Sequence, residues 1–393
     1  MFIRRMMMLA IALVLLPFGA TAQAFNTRAT AAYVLDLSTG TVLLSKDADT
    51  PLPPASMSKL MTIYMAFEAV ADGRLRIDEK LLVSQHAMDY GGSTMFLKAG
   101  ERVSVEDLLR GVIVLSGNDA SAVLAEALSI DGSEAGFARM MTARAKEMGM
   151  MNSSFANSNG WPAAGHRMSM KDLGILAQRL ISDYPTYYPL FSQREFMFDG
   201  RAPSNSQNRN PILGLGIGAD GLKTGHTSEA GYGLVGSAKQ GDRRIVFVIT
   251  GLDSSRARAE EAEKIVNWSF RQFAQKEIVR AGTKLAEADV WMGDQPTVGL
   301  TVAEDLSMLV PVLGTSDGID AEVVFHGALT APITAGDEIG ELVINLGNLP
   351  EARLPLVADR DVAKGGVSSR LRTAATVLID RIVPTPTAAP EAN

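Results

Sequence analysis

Strand-like segments lie at both ends of a long helical stretch, and this arrangement constrains the fold more than any other feature of the sequence. Residues Ala31–Lys46 alternate apolar and polar side chains around a Ser-Thr-Gly-Thr turn, as a β-hairpin does. Three more strand-like segments follow much later, at Ala219–Gly225, Gly231–Ala238 and Arg244–Thr250. Because a two-stranded hairpin is marginal alone, we expect the first and last strands to share one sheet.

The stretch between these strands has helical spacing. A proline-rich break at residues 51–54 is followed by apolar residues at helical intervals over Met57–Val70. Segments Val105–Leu128 and Glu134–Met148 also predict helices, and Ser255–Gln275 predicts a closing helix.

From about Lys276 the sequence changes to short alternating apolar segments separated by turn residues. This pattern predicts a small all-β domain, a sandwich or a barrel, over residues 276–365. The predicted strands are Ala288–Trp291, Val298–Val302, Ser307–Val312, Glu322–His326, Glu341–Ile344 and Arg353–Val357.

The composition excludes several kinds of site. With no cysteine, the chain has no disulfide, thiol nucleophile, thiolate zinc site or iron–sulfur cluster. The formal net charge of −7 argues against nucleic acid or an anionic membrane as the main partner. The histidines are far apart, which weighs against a polyhistidine metal site, and we predict no metal or cofactor; they are His86, His166, His226 and His326.

The first 24 residues have the three parts of a secretory signal peptide. Arg4 and Arg5 precede an apolar run over residues 6–18, and small residues at 20–24 offer cleavage sites. The alternatives are a buried helix and a membrane anchor, although the run is short for a membrane span. We therefore expect an exported, periplasmic protein whose catalytic domain starts near residue 25.

The last segment, residues 366–393, combines a helix-like stretch with a Pro/Ala tail. Ser368–Val383 places Leu371, Ala375 and Leu378 on one helical face, with arginines nearby. One interpretation is an amphipathic anchor on the outer face of the cytoplasmic membrane. The other is a helix docked on its own domain, and both remain open.

Ser56 and Lys59 open a predicted helix three residues apart, so they lie on the same helical face. A lysine amine there can accept the serine proton if burial or neighbouring positive charge lowers its pKa. The helix N-terminus adds backbone N–H groups that suit an oxyanion. Alone, the pair is equally compatible with a helix cap followed by a surface lysine.

Two further motifs follow in order. Ser116 and Asn118 lie two apart at a predicted helix boundary and can point into one cleft, although a second Ser-x-Asn stands at Ser206–Asn208. Lys223 and Thr224 begin a Lys-Thr-Gly in a predicted strand, where they supply a positive charge and a hydroxyl. Each motif alone also fits an ordinary loop, cap or turn.

The three motifs together are far more specific than any one of them. Ser-x-x-Lys, Ser-x-Asn and Lys-Thr-Gly are the motif set of penicillin-recognising serine enzymes, although Gly117 stands where aspartate is often found. With Gly92–Gly100, Arg110–Ala120 and Asp220–Tyr232, the chain resembles the type-5 low-molecular-mass penicillin-binding proteins, which are D-alanyl-D-alanine carboxypeptidases. The resemblance implies an α+β catalytic domain over residues 25–275, with an antiparallel sheet between helices and an inserted helical subdomain.

The resemblance also implies an acyl-transfer mechanism. Ser56 attacks the carbonyl between the two terminal D-alanines of a peptidoglycan stem peptide, and Lys59 is its general base. Ser116, with Lys223 nearby, relays a proton to the leaving D-alanine. Backbone N–H groups of Ser56 and His226 form the oxyanion hole. β-Lactams acylate the same serine as covalent inhibitors.

The remaining implied residues bind substrate. Asn118 hydrogen-bonds the substrate amide, Lys223 and Thr224 bind the terminal carboxylate, and Gly225 leaves room for the substrate backbone. Arg209 assists, although it matches the family's Asn-Arg-Asn arginine only with a one-residue gap.

Other functions remain as alternatives. A Gly-x-Ser-x-Gly at Gly314–Gly318 lies in a polar turn without a following helix, so a Ser-His-Asp triad is disfavoured. A class A β-lactamase needs a Glu-x-x-Leu-Asn between Asn118 and Lys223, which the chain lacks. An endopeptidase acting on D,D cross-links shares all three motifs, and an inactive cell-wall-binding scaffold is a further alternative.

Overall fold

The computed structural model describes residues 25–312, 320–325, 329–345 and 351–367, together with Leu371. The predicted signal peptide, the Gly314–Gly318 segment and nearly all of the predicted helix Ser368–Val383 lie outside the described residues. Among the helices of the described part, none is both long enough and apolar enough to cross a bilayer.

The first 272 residues contain seven strands and seven α-helices in the described part. In chain order these are β1 (Ala31–Asp36), β2 (Thr41–Lys46), α1 (Lys59–Ala71), β3 (Lys80–Leu82), α2 (Gln85–Met88), β4 (Arg102–Ser104), α3 (Val105–Arg110), α4 (Asn118–Leu128), α5 (Glu134–Glu147), α6 (Met170–Asp183), β5 (Ala219–Thr227), β6 (Gly231–Gln240), β7 (Arg243–Leu252) and α7 (Ser255–Arg271).

Five of these strands form one antiparallel sheet in the order β2-β1-β7-β6-β5. β1 lies between β2 and β7, with Ala31 opposite Thr250 and Asp36 opposite Ile245. The prediction that the first and last strands share a sheet is confirmed. β5, which carries the Lys-Thr-Gly motif, lies at the edge of the sheet.

Helices cover both faces of this sheet, which agrees with the expected fold class. Val246 and Val248 of β7 face a core that includes α1 and α6, while Phe247 and Ile249 face a core that includes α7. Because both faces are buried, β7 is a continuous apolar run rather than an alternating one.

An ion pair closes the hairpin end of the sheet. Asp36, fully buried at the end of β1, accepts hydrogen bonds from Arg243 Nε and Nη2 at 3.1 and 2.9 Å. Its other oxygen accepts from the backbone N–H groups of Ser38 and Thr39 at 3.0 and 3.1 Å. One carboxylate therefore joins the β1–β2 turn to β7.

Serine side chains begin many of the helices. In each case the hydroxyl accepts a hydrogen bond from the backbone N–H three residues later, which satisfies one free donor of the first turn; the capping residues are Ser84, Ser104, Ser133, Ser169 and Ser254. In contrast, α1 and α4, which carry Lys59 and Asn118, begin without a side-chain cap.

The predicted helix Val105–Leu128 is interrupted, so this expectation was wrong in its extent. After α3, residues Gly111–Leu115 form a π-helical turn, and Ser116 takes a left-handed conformation with φ 62° and ψ 33°. The direction of the chain changes there before α4 begins at Asn118. The apolar periodicity continues through the break because residues 111–115 are buried on every side.

The closing helix was also predicted too long. α7 ends at Arg271 because Phe273 starts a strand whose residues pair with Val310 and Pro311. Helix α6 and the short strands β3 and β4 were not predicted.

The rest of the described chain is all-β. Its strands are β8 (Phe273–Val279), β9 (Lys284–Trp291), β10 (Thr297–Thr301), β11 (Leu306–Pro311), β12 (Asp320–Val324), β13 (Leu329–Thr330), β14 (Glu338–Asn345) and β15 (Ala352–Ala358). Six of them form a sheet in the order β12-β14-β15-β10-β9-β13, and β8 pairs with β11. Each of the six predicted segments overlaps a strand, while β8 and β13 were not predicted.

Candidate active site

Ser56 and Lys59 meet at the start of α1. Ser56 lies in a 3-10 turn, Ala55–Ser58, that leads into the helix and packs against β5. Lys59 is the first residue of α1, and its Nζ lies 2.9 Å from Ser56 Oγ. The lysine is fully buried, whereas the serine is partly exposed. A buried amine therefore contacts a hydroxyl that solvent and substrate can reach.

Two other acceptors surround the Lys59 amine. Nζ donates to the Asn118 side-chain oxygen at 2.7 Å and to the Asn159 carbonyl at 2.6 Å. With Ser56 Oγ, these contacts use all three N–H bonds of an ammonium group. After loss of one proton, two N–H bonds and a lone pair remain in the same three directions.

The charged form of Lys59 is destabilised. Burial, helped by the positive charge of Arg209 and opposed by the carboxylates of Asp119 and Glu134, lowers the pKa of Lys59 to about 7. A lysine with its ordinary pKa would be protonated at neutral pH. Here a large fraction is neutral, and a neutral amine can accept a proton from Ser56.

Ser116 lies in the turn between α3 and α4. Its left-handed backbone conformation is uncommon for a residue with a side chain. Its Oγ accepts a hydrogen bond from Lys223 Nζ at 2.9 Å, and both side chains are buried. The structure thus brings the second and third motifs into direct contact.

The surroundings of Lys223 disfavour its charged form. Burial lowers its pKa well below the ordinary value, and the positive charges of Lys59, Arg209 and Arg258 lower it further. A carboxylate bound beside these cations would stabilise the protonated form. The cluster therefore favours an anionic ligand.

Strand β5 brings the third motif close to Ser56. A Cβ on Gly225 would lie 3.0 Å from the Pro54 carbonyl oxygen and 3.2 Å from Ala55 Cβ, so only glycine allows this approach without a shift. Thr224 is buried, and the exposed ring of His226 stacks on Tyr232 with centroids 3.9 Å apart.

Arg209 makes its hydrogen bonds to a loop of the cleft and not to the three motifs. Its guanidinium donates to Ser93 Oγ at 2.5 Å and to Asn205 Oδ1 at 3.2 Å. Its positive charge acts on both Lys59 and Lys223. The arginine therefore belongs to the electrostatic environment of both lysines.

A cleft of about 520 Å³ opens at Ser56. Gly92, Asn118, Trp161 and His226 are among the residues that line it. Its size and mixed polarity suit a peptide end or a small molecule. In the described residues no three His, Asp or Glu side chains are grouped so that they could hold a metal ion.

Three residues of the site were not identified from the sequence. Asp119 accepts from the backbone N–H groups of Met95 and Leu97 and thereby holds the loop that lines the cleft. Asn159 contributes its carbonyl to Lys59, and Glu134 lies behind that segment. The Asn-Gly turn at Asn159 is a sequence signal for an irregular segment, but it carries no chemical signature.

Two family models match the chain. Residues 19–254 match a model described as D-alanyl-D-alanine carboxypeptidase, and residues 273–364 match one described as the C-terminal domain of penicillin-binding protein 5. The matched regions correspond to the helix-covered sheet and to the all-β region.

Several known proteins are similar over most of the chain. D-alanyl-D-alanine carboxypeptidase DacD of Salmonella typhimurium is 35% identical over 345 residues, which cover 86% of this chain and 87% of the relative. The crystal structure of the carboxypeptidase DacD from Francisella tularensis has a TM-score of 0.74 at 28% identity, covering 87% of this chain and 95% of that one. Penicillin-binding protein D2 of Listeria monocytogenes in its ampicillin-bound form has a TM-score of 0.54 at 33% identity, covering 62% and 98%.

Proposed function

Because this chain belongs to the D-alanyl-D-alanine carboxypeptidase family, we propose that it removes the terminal D-alanine from peptidoglycan stem pentapeptides through an acyl-enzyme on Ser56. The observation that carries this proposal is the Lys59 amine, which is fully buried, has a pKa lowered to about 7 by that burial, and lies 2.9 Å from Ser56 Oγ. The enzyme is a serine hydrolase.

Acylation starts with proton transfer inside the Ser56–Lys59 pair. Neutral Lys59 donates its two N–H bonds to Asn118 and Asn159, so its lone pair is directed at the Ser56 hydroxyl. The serine oxygen attacks the carbonyl carbon between the two D-alanines as its proton moves to Nζ. The product of this step is a tetrahedral intermediate with a negatively charged oxygen.

Backbone N–H groups of Ser56 and His226 stabilise that oxygen. When the intermediate collapses, the carbon–nitrogen bond breaks and Ser116 Oγ gives its proton to the leaving nitrogen. The proton that Lys59 took from Ser56 replaces it, so Lys59 becomes neutral again and Ser116 keeps its hydroxyl. Lys223, 2.9 Å from that oxygen, stabilises the developing negative charge on it. Water then hydrolyses the ester and releases the shortened peptide.

Substrate binding uses the rest of the site. Asn118 has committed its oxygen to Lys59 and one N–H to the Gly91 carbonyl at 2.8 Å, which leaves one N–H for the substrate amide. Lys223, Thr224 and Arg209 receive the terminal carboxylate. Binding of this carboxylate restores the positive charge that burial disfavours on Lys223.

A penicillin presents a similar carbonyl and carboxylate, so we expect it to acylate Ser56. The ampicillin-bound form of the similar Listeria protein supports this expectation. The ester then blocks the site until water hydrolyses it.

The test measures free D-alanine released from a peptide ending in Lys-D-Ala-D-Ala, with and without benzylpenicillin. Mass spectrometry of the treated protein should locate the adduct on Ser56. The S56A variant should lose both activities. The S58A variant is the matched control, because the Ser58 hydroxyl donates to the Ala55 carbonyl and is not a partner of Lys59. A folded wild-type protein with no adduct and no D-alanine release would refute the proposal.

We further propose that residues 1–24 direct export to the periplasm, that residues 25–275 form the catalytic domain and 276–365 the β domain, and that Ser368–Val383 contacts the membrane surface. The basic and apolar pattern of the first segment and the amphipathic pattern of the last support these assignments. Deletion of Ser368–Asn393 should release the protein from membrane fractions without loss of peptide hydrolysis. Equal membrane retention would exclude an anchor there.

A further inference from the structure

A buried carboxylate lies behind the lysine that activates the nucleophile. Glu134 is the first residue of α5, and its side chain is only 8% exposed. Burial acts to raise its pKa, but hydrogen bonds from Ser158 and Tyr90 hold the pKa below the ordinary value, so Glu134 is ionised. The proposed mechanism assigns no role to this charge.

The Glu134 carboxylate joins three separate parts of the chain. One oxygen accepts from the Ser158 backbone N–H at 2.9 Å and from Ser158 Oγ at 2.5 Å, and lies 3.5 Å from Asn159 Nδ2. The other accepts from the Tyr90 hydroxyl at 2.6 Å and contacts His86 Nε2 at 2.8 Å. The segment at 158–159 is thus fixed from one side by a charged acceptor, the stronger kind of hydrogen bond.

The other side of that segment contacts α1. The Asn159 carbonyl accepts from Lys59 Nζ at 2.6 Å, and the Ser158 carbonyl accepts from Thr62 Oγ1 at 2.6 Å. A displacement of residues 158–159 therefore moves an acceptor of the Lys59 amine directly. The negative charge of Glu134 also favours the protonated form of Lys59.

We propose that Glu134 is a positioning residue of the acyl-transfer site: its carboxylate holds Ser158 and Asn159 so that the Asn159 carbonyl stays against the Lys59 amine. The negative charge of the same carboxylate favours the protonated form of that amine. This inference rests on the proposed function, because it assigns Glu134 to the base that activates Ser56.

Other titratable groups also surround Lys59, and the experiment must separate their effects from that of Glu134. Arg209 faces the amine from the loop before β5, Asp119 from α4 and Lys223 from β5, while His166 lies in the loop before α6. All four remain in place in Glu134 variants. A change confined to the Glu134 variants is therefore due to this carboxylate.

The test compares E134Q, E134A and wild type by the pH dependence of acylation with a fluorescent penicillin. Glutamine keeps the shape and still accepts from Ser158, and its amide can donate to the Tyr90 oxygen, so mainly the charge is lost. We expect E134Q to shift the acid limb of the profile to lower pH, because protonated Lys59 loses a neighbouring negative charge. E134A loses the contacts as well, and its plateau rate should fall on the order of 10- to 100-fold.

E126Q is the matched control. Glu126 is a nearby carboxylate on α4 that accepts from Ser84 Oγ at 2.9 Å and does not contact residues 158–159. Its pH profile should superimpose on that of the wild type. An E134Q profile that also superimposes on wild type, or an E134A plateau equal to wild type, would overturn the proposal.

A second measurement does not depend on turnover. With ¹³C-labelled lysine, the titration of the Lys59 side chain can be followed by NMR and assigned with K59A. The E134Q midpoint should lie below that of wild type, whether or not D-alanine is released, and equal midpoints would overturn the proposal. If E134A does not fold, the pH profile of E134Q and this titration still test the proposal. If wild type neither releases D-alanine nor forms an adduct, the proposed function fails separately.

Discussion

The lowered pKa of Lys59 sets a definite pH dependence for acylation. Only the neutral amine accepts the Ser56 proton, and burial lowers its pKa to about 7. For a single group of pKa about 7, the neutral fraction is about 90% at pH 8, about 10% at pH 6 and about 1% at pH 5. We therefore expect the limiting acylation rate to fall about 90-fold between pH 8 and pH 5.

The limiting rate is measured by stopped-flow at saturating fluorescent penicillin, so that changes in affinity do not contribute. The R209Q variant removes the positive charge that opposes protonation of Lys59, and its acid limb should move to higher pH. R201Q is the matched control, since Arg201 is paired with Glu101 and Asp199 and does not act on Lys59.

Three results would refute the reasoning. A rate that is constant between pH 5 and 8 would show that no group with a pKa near 7 limits acylation. A midpoint above about pH 9 would show that Lys59 keeps an ordinary lysine pKa despite its burial. A shift of the R209Q limb to lower pH would contradict the electrostatic assignment.

Three further predictions concern residues that support the site. D36A should destabilise the fold by about 3–5 kcal/mol in urea unfolding, because Arg243 loses its buried partner, and a change below about 1 kcal/mol would contradict this. G225A should slow acylation while the melting temperature stays close to wild type, since its Cβ meets the Pro54 oxygen at 3.0 Å; an unchanged rate would show that the neighbouring turn yields freely. D119N should lower the free energy of unfolding by about 1–3 kcal/mol, because three buried backbone N–H groups lose a charged acceptor, and an unfolding free energy equal to wild type would contradict this.

The local patterns of the sequence predicted the sheet well. The hairpin over Ala31–Lys46 and the three later strands follow from side-chain alternation and apolar runs, which depend on neighbouring residues alone. The pairing of β1 with β7 could be predicted too, because an isolated hairpin needs further strands. The three motifs also predicted that Ser56, Ser116 and Lys223 belong to one site, and the roles of these residues stay predictions.

The parts that could not be predicted depend on contacts between distant residues. The break at Ser116 lies inside an apolar run that is buried on every side, so periodicity gives no sign of it. In the sequence, Glu134 is an ordinary acidic residue in the first turn of a helix that begins with a serine cap. Its position behind Asn159 and Lys59 arises only when α5 packs beside α1.

The central place of β1 in the sheet also affects when the enzyme can become active. β1 is among the first residues of the described chain, yet one of its two neighbours, β7, ends at Leu252. Strand β5, with Lys223, is joined to β1 only through β6 and β7. A chain emerging from the ribosome, or from a membrane pore, therefore cannot complete its sheet until about 220 further residues have followed β1. Such distant pairing slows folding. Because the sheet that holds Lys223 is incomplete without β7, penicillin binding should appear abruptly, only in chains that extend past β7.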